Sequence, residues 1–95
     1  MQLRGIRALA ADERIRAALR QSGTRVEVRL VEILRDGPDD DYYRGRFTWT
    51  DPASGRAIEM FGDLIAAEPG PEWRSRRFTA LVDRRDPSRY LVEIG

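Results

Sequence analysis

The stretch FTALVDRRDPSRYLVEI, residues 78–94, decides the fold, because it places two short apolar runs on either side of a polar turn. In each run every second residue is apolar, which is the period of a half-buried strand. These residues are Phe78, Ala80 and Val82 in the first run and Tyr90, Val92 and Ile94 in the second. The segment RRDPS between the runs has turn composition. The stretch therefore predicts a β-hairpin with a terminal strand that contributes to a small core.

Working towards the N-terminus, residues 24–34, TRVEVRLVEIL, predict a long strand with an irregularity. Val26, Val28 and Leu30 alternate with charged residues, and the apolar phase then shifts to Val31 and Ile33. One extra residue near Leu30 would produce that shift, so we expect a β-bulge there.

The middle of the chain predicts a second hairpin, YYRGRFTWT followed by RAIEMF, joined by the turn DPASG. The residues expected to face inward are Tyr43, Gly45, Phe47 and Trp49 in the first strand and Ile58 and Met60 in the second. Leu64 and Ile65 come after this hairpin, and their apolar side chains are expected to be buried.

Residues 4–23, RGIRALAADERIRAALRQSG, predict a helix, because Ile15 and Leu19 are four apart and Gly23 provides a stop. Ala8, Ala11 and Ala18 are expected on the same side, and a cap at Asp12 would begin a shorter helix. We expect a single domain, residues 1–95, with the helix in 1–23 and a β domain in 24–95. The predicted fold is mainly β: a small curved antiparallel sheet or barrel of five to six strands with an N-terminal α-helix.

Residue types exclude much chemistry. All 17 basic residues are arginine, against 16 acidic residues, and cysteine and histidine are absent. Zinc sites with cysteine, disulfides, histidine-activated nucleophiles and lysine Schiff bases are therefore impossible. The acidic turn that contains Asp36 and 39–41 lacks the spacing of a helix–loop–helix calcium loop. We expect no catalytic, cofactor-binding or metal-binding residues, and no cofactor.

One constellation remains as a candidate contact site for nucleic acid or a partner: Trp73, Arg74, Arg76, Arg77, Arg84 and Arg85. Arginines beside aromatic rings are typical of single-stranded nucleic-acid binding. However, acidic residues are interleaved with them, and a small core claims its aromatics first, so a solvated, ion-paired face is favoured. A hydrolase that uses Glu27, Glu32, Glu59 or Asp63 is a third and weaker hypothesis, because nothing in the sequence pairs these carboxylates.

The order of the strand-rich part resembles a family of bacterial proteins, domain of unknown function 3592. The resemblance runs from about Gly23 to Ile94 and rests on four segments: SGTRVEVRLVEIL, YYRGRFTWTDPASGRAIEM, EPGPEW and FTALVDRRDPSRYLVEI. It implies a small β domain and no catalytic residues. Members of that family often carry transmembrane helices, and this chain departs from them because no apolar run approaches bilayer length.

Together these observations predict a soluble, cytoplasmic, non-enzymatic module that binds another protein or itself. Nucleic-acid binding through the arginines is the alternative.

Overall fold

The structure is a computed structural model that describes residues 2–94, with side chains described from Asp12 onward. The elements are α1 (Gln2–Ser22), β1 (Thr24–Asp36), β2 (Tyr42–Thr50), β3 (Ala57–Phe61), a short 3₁₀ helix (Pro71–Arg74), β4 (Phe78–Val82) and β5 (Tyr90–Glu93). The prediction of a mainly β chain with an N-terminal helix is confirmed, with five strands. No helix in the described part of the chain is long and apolar enough to cross a membrane.

The five strands form one curled antiparallel sheet in the order β3-β2-β1-β4-β5. Strand β4 returns beside β1 after the β1-β2-β3 meander, which is Greek-key connectivity. The edge strands β3 and β5 approach each other without a backbone ladder. Their seam is bridged by the Phe61 N–H, which donates to the Tyr90 hydroxyl oxygen at 3.0 Å.

Strand β1 changes its partner halfway along its length. Residues 24–28 pair with β4, whereas residues 29–36 pair with β2. The register shifts between Leu30 and Glu32, so the predicted bulge is confirmed. The prediction that Val31 faces the core is wrong. It is the extra residue of the bulge, and it remains 41% exposed, while Ile33 packs against the core.

The inner faces of the strands meet in a core around Phe47 and Phe78, whose ring centroids are 5.0 Å apart. Met60 and Val82 are also fully buried. Both predicted hairpins form, β2 with β3 and β4 with β5. The residues predicted to face inward in the last hairpin all belong to this core or pack against it.

Helix α1 packs on the outer face of the β4–β5 hairpin, where Leu19 and Ile15 contact Leu81 and Leu91. The predicted Ile15–Leu19 stripe is therefore confirmed, but Ala18 is exposed and not part of it. Ala8 and Ala11 lie outside the residues with described side chains. A helix beginning at Asp12 is wrong, because the preceding turns are helical as well.

Leu64 corrects a second burial prediction, because its side chain is 49% exposed. The next residue, Ile65, exchanges two backbone hydrogen bonds with Tyr43, at 2.8 and 2.7 Å. This pairing turns Ile65 towards the core, and successive side chains of an extended segment point to opposite sides, so Leu64 faces solvent.

Candidate functional site

The arginines of the sequence-predicted site do not form one cluster. Arg74, Arg76 and Arg77 precede β4, whereas Arg84 and Arg85 lie in the turn after it. Seven residues of extended chain separate Arg77 from Arg84, a distance of roughly 20 Å. The two groups are therefore at opposite ends of one strand and cannot meet the same short ligand.

Trp73, the aromatic residue of the predicted site, lies in the core, and so does Trp49, which was expected to face inward. Trp73 is 7% exposed and lies edge-on to Phe78, with ring centroids 5.1 Å apart. Trp49 is 8% exposed. Neither ring can stack on a nucleobase without leaving the core, so the site offers charge to nucleic acid but no aromatic platform.

The carboxylates considered for acid–base chemistry are dispersed over the sheet. Arg46 lies between Glu32 and Glu59, with N–O distances of 3.2 and 3.4 Å. Glu27 lies 3.9 Å from Arg77. Among the described residues no group of three acidic side chains is arranged to hold a metal ion.

Asp63, the remaining candidate for acid–base chemistry, and Glu93 are held in their ionised form. Hydrogen bonds from Arg16 lower the pKa of Asp63 below its ordinary value, against a smaller opposing effect of burial. Glu93 accepts two hydrogen bonds from Arg25, at 2.8 and 3.0 Å, and one from Thr79, and the Arg25 bonds are the largest cause of its lowered pKa. A carboxylate stabilised as an anion is a poor general acid near neutral pH.

The clearest unsatisfied feature is one edge of β1 beyond the bulge. In β2, the peptide groups of Tyr43 and Gly45 hydrogen-bond towards the β3 side, to Ile65 and Gly62. Peptide groups of alternate residues in an antiparallel strand point to opposite neighbours. Ile33 and Arg35, which oppose Gly45 and Tyr43, must therefore direct their N–H and C=O groups away from β2.

No described residue satisfies these groups of Ile33 and Arg35. Strand β4 pairs with β1 only as far as Val28, and no turn or loop hydrogen bond reaches the edge beyond it. An edge of this kind is a template for a further strand. The open edge of β1 is therefore a part of the sheet that can accept another chain.

Three adjoining concavities lie along this part of β1, and we call them together the β1 trough. One wall consists of β1 residues 27–35 and the other of residues 68–77, and Tyr43, residues 48–50 and Ala57 of the neighbouring strands also line the trough. The concavity in the middle shares Leu30 with one neighbour and Ile33 with the other, and Arg74 lines all three. The trough therefore places one exposed arginine beside the open edge.

Sequence patterns predicted Arg74, Arg76 and Arg77 of this trough but not its β1 wall, which includes Arg29 and Arg35. Two features hint at an unpaired edge. The 13-residue β1 is much longer than the five-residue β4 that pairs with it. The expected bulge also interrupts β1. Neither signal alone reveals which backbone groups remain unpaired, because that depends on the register with β2.

Comparison of the chain with known protein families, with curated proteins and with solved structures gives no match. The resemblance to domain of unknown function 3592 therefore stays a prediction. Any functional assignment rests on the geometry of the described residues.

Proposed function

We propose that the chain is a non-enzymatic interaction module that binds another protein at the β1 trough. The observation that carries the proposal is the open edge of β1 at Ile33 and Arg35, whose peptide groups have no partner among the described residues. Addition of an extended segment to an exposed sheet edge is a recurring mode of protein recognition. The exposed Val31 beside this edge adds an apolar contact for such a partner.

The arrangement of the carboxylates supports a binding role over an enzymatic one. Glu32 and Glu59 are ion-paired to the same arginine on the outer face of the sheet. The lowered pKa of Asp63 keeps that carboxylate ionised. General acid catalysis requires a carboxyl group whose pKa is raised towards the operating pH, which is the opposite direction.

Nucleic-acid binding is the second candidate, and the charge of the β1 trough favours it. Arg29, Arg74, Arg76 and Arg77 line its wider part, with Glu27 as the carboxylate among them. Some small five-stranded Greek-key barrels bind oligonucleotides. A protein partner is the stronger proposal for two reasons. Both tryptophans are buried, so neither ring is available to stack on a base. The open edge also supplies backbone donors and acceptors in the spacing of a β-strand, which a polypeptide can match and a nucleic acid cannot.

The test is affinity capture from the native host with the purified, tagged chain. The proposed location is the cytoplasm, so the cytosolic fraction is used, in nuclease-treated and untreated halves. Three baits are compared: the wild type, Arg74→Glu in the trough and Arg84→Glu at the far end of β4. The two variants change the net charge equally, so they separate an effect of the trough from an effect of overall charge.

A protein that survives nuclease and is retained by the wild type and by Arg84→Glu, but not by Arg74→Glu, would support the proposal. Retention that disappears with nuclease and falls steeply with added salt would replace it with the nucleic-acid candidate. A protein retained equally by all three baits would place binding outside the trough and contradict the proposal. Capture of nothing above the untagged control, together with a concentration-dependent dimer in sedimentation, would show that the partner is a second copy of the chain.

A further inference from the structure

We infer that the β1 trough receives an acidic, extended segment of its partner, which adds to the sheet as a strand along the open edge of β1. The inference rests on the proposed function and specifies its ligand. It is supported by the direction of the peptide groups, by the composition of the opposite wall and by the charges that line the trough.

The backbone of β1 sets the conformation of the ligand. Ile33 and Arg35 are two residues apart, so their outward peptide groups repeat every 6 to 7 Å or so. A neighbouring extended chain has the same repeat and can form paired N–H···O=C bonds with both residues. A helical ligand satisfies its own peptide groups and would leave those of the edge unpaired.

The opposite wall leaves these groups available. Next to Ile33 and Arg35 the concavities have volumes of about 320 and 170 Å³. The facing segment contains Pro69 and Pro71, which have no backbone N–H to donate to the β1 carbonyl groups. The wall therefore borders the edge without closing it.

The charges of the trough select an acidic ligand. Arg29 and Arg74 have no carboxylate within ion-pair distance among the described residues, and the Arg77 side chain is 90% exposed with Glu27 at 3.9 Å. Glu32 and Glu68 line the concavity beside Ile33 together with Arg35 and Arg74, and Glu32 is already bound by Arg46. Carboxylates on one side of an added strand would therefore meet Arg29 and Arg74 without displacing an existing ion pair.

The test uses a capped peptide of about nine residues in which glutamate alternates with threonine, a composition suited to a charged strand. Binding to the complete chain is measured by calorimetry, and amide hydrogen exchange is followed by NMR. Two control probes are a peptide of the same sequence with alternate amides N-methylated, which keeps the charge but not the strand pairing, and an oligothymidylate of similar charge.

The decisive variants are Arg35→Pro and its matched control Arg35→Ala. Both remove the exposed side chain, but only proline also removes the outward N–H. Because that N–H does not belong to the β1–β2 ladder, proline is tolerated there as on other strand edges. Because both variants lose the same charge, the comparison is between them: we expect Arg35→Pro to bind at least about tenfold more weakly than Arg35→Ala, the effect of losing roughly one hydrogen bond.

Protection of the Ile33 and Arg35 amides on addition of the glutamate peptide would support the inference, even if Arg35→Pro proved unstable. Equal binding of the N-methylated peptide, or tighter binding of the oligothymidylate, would overturn it. If the glutamate peptide fails while a captured protein still depends on Arg74, strand addition is wrong but the interaction module stands. If the glutamate peptide binds and protects the edge while no protein is captured, the chemistry of the trough is correct and the proposed function is wrong.

Discussion

At the scale of single residues, a tight packing constraint lies at Gly45 in β2, beside the ring of Phe47. A Cβ atom at Gly45 would lie 2.6 and 2.7 Å from the Cε2 and Cζ atoms of that ring. Phe47 is completely buried and packs against Phe78, so its ring cannot move aside without disturbing the core. Glycine is required here by space rather than by backbone conformation.

We therefore expect Gly45→Ala to lower the free energy of unfolding by about 1–3 kcal/mol, the usual cost of overpacking a core. Urea denaturation followed by tryptophan fluorescence measures this loss. The control is the double variant with Phe47→Leu, which removes the two clashing ring atoms. Its loss should be smaller than the sum of the two single losses by about 1 kcal/mol. If the losses in unfolding free energy of the two single variants simply add in the double variant, the Phe47 ring is not what excludes a Cβ atom at Gly45.

At the scale of elements, helix α1 is joined to the sheet by an apolar contact and by an ion pair. Leu19 and Ile15 provide the apolar contact with β4 and β5. Arg16 binds Asp63, just after β3, through two hydrogen bonds, one of them 3.1 Å long, and also binds Asp12 within the helix. The helix is therefore held against both edge regions of the curled sheet.

This ion pair predicts that the stability difference between the wild type and Asp63→Asn is present at neutral pH and shrinks in acid. The folded state lowers the pKa of Asp63 below its ordinary value of 3.8, so its contribution is complete well above pH 3.8 and is lost as the pH falls through the lowered pKa. The wild type should exceed the variant in unfolding free energy at pH 7 by less than about 1 kcal/mol, since the side chains are partly exposed. Denaturation at pH 7 and pH 2 tests this, and a difference that grows in acid would contradict it.

At the scale of the whole molecule, the sheet curls until its edge strands β3 and β5 approach each other. They are joined there by a side-chain hydrogen bond and not by a ladder of backbone hydrogen bonds. The Tyr90 hydroxyl accepts from the Phe61 N–H, and the Ile94 side chain approaches Gly62. This contact covers part of the β3 and β5 edges, whereas the edge of β1 beyond the bulge has no strand opposite it. The open β1 edge faces the β1 trough instead of another strand of the sheet.

Removal of the seam contact in Tyr90→Phe should cost about 1 kcal/mol, because the Phe61 N–H loses its acceptor in a partly buried position. Amide exchange of Phe61 should accelerate more than that of residues in β1. Tyr42→Phe is the matched control, since the Tyr42 hydroxyl has no hydrogen-bond partner among the described residues and the residue is exposed. Equal effects of the two variants would mean that the Tyr90 bond does not hold the seam.

The inner faces of the strands, both hairpins and the bulge were predictable, because they depend on side-chain alternation and turn residues within about ten neighbouring positions. Val31 and Leu64 were predicted wrongly for one shared reason. An apolar residue is buried only if its strand phase faces the core, and both phases are set by backbone pairing with distant segments, β2 in one case and Tyr43 in the other.

Residue composition by itself determined which chemistries are unavailable, and periodicity determined a mainly β domain behind one helix. Both are local properties of the chain. Tertiary structure alone decided that the arginines separate into two groups, that Leu64 faces solvent and that one edge of β1 remains unpaired. Each of these depends on which strands pair and for how many residues, and those contacts join positions far apart in the sequence.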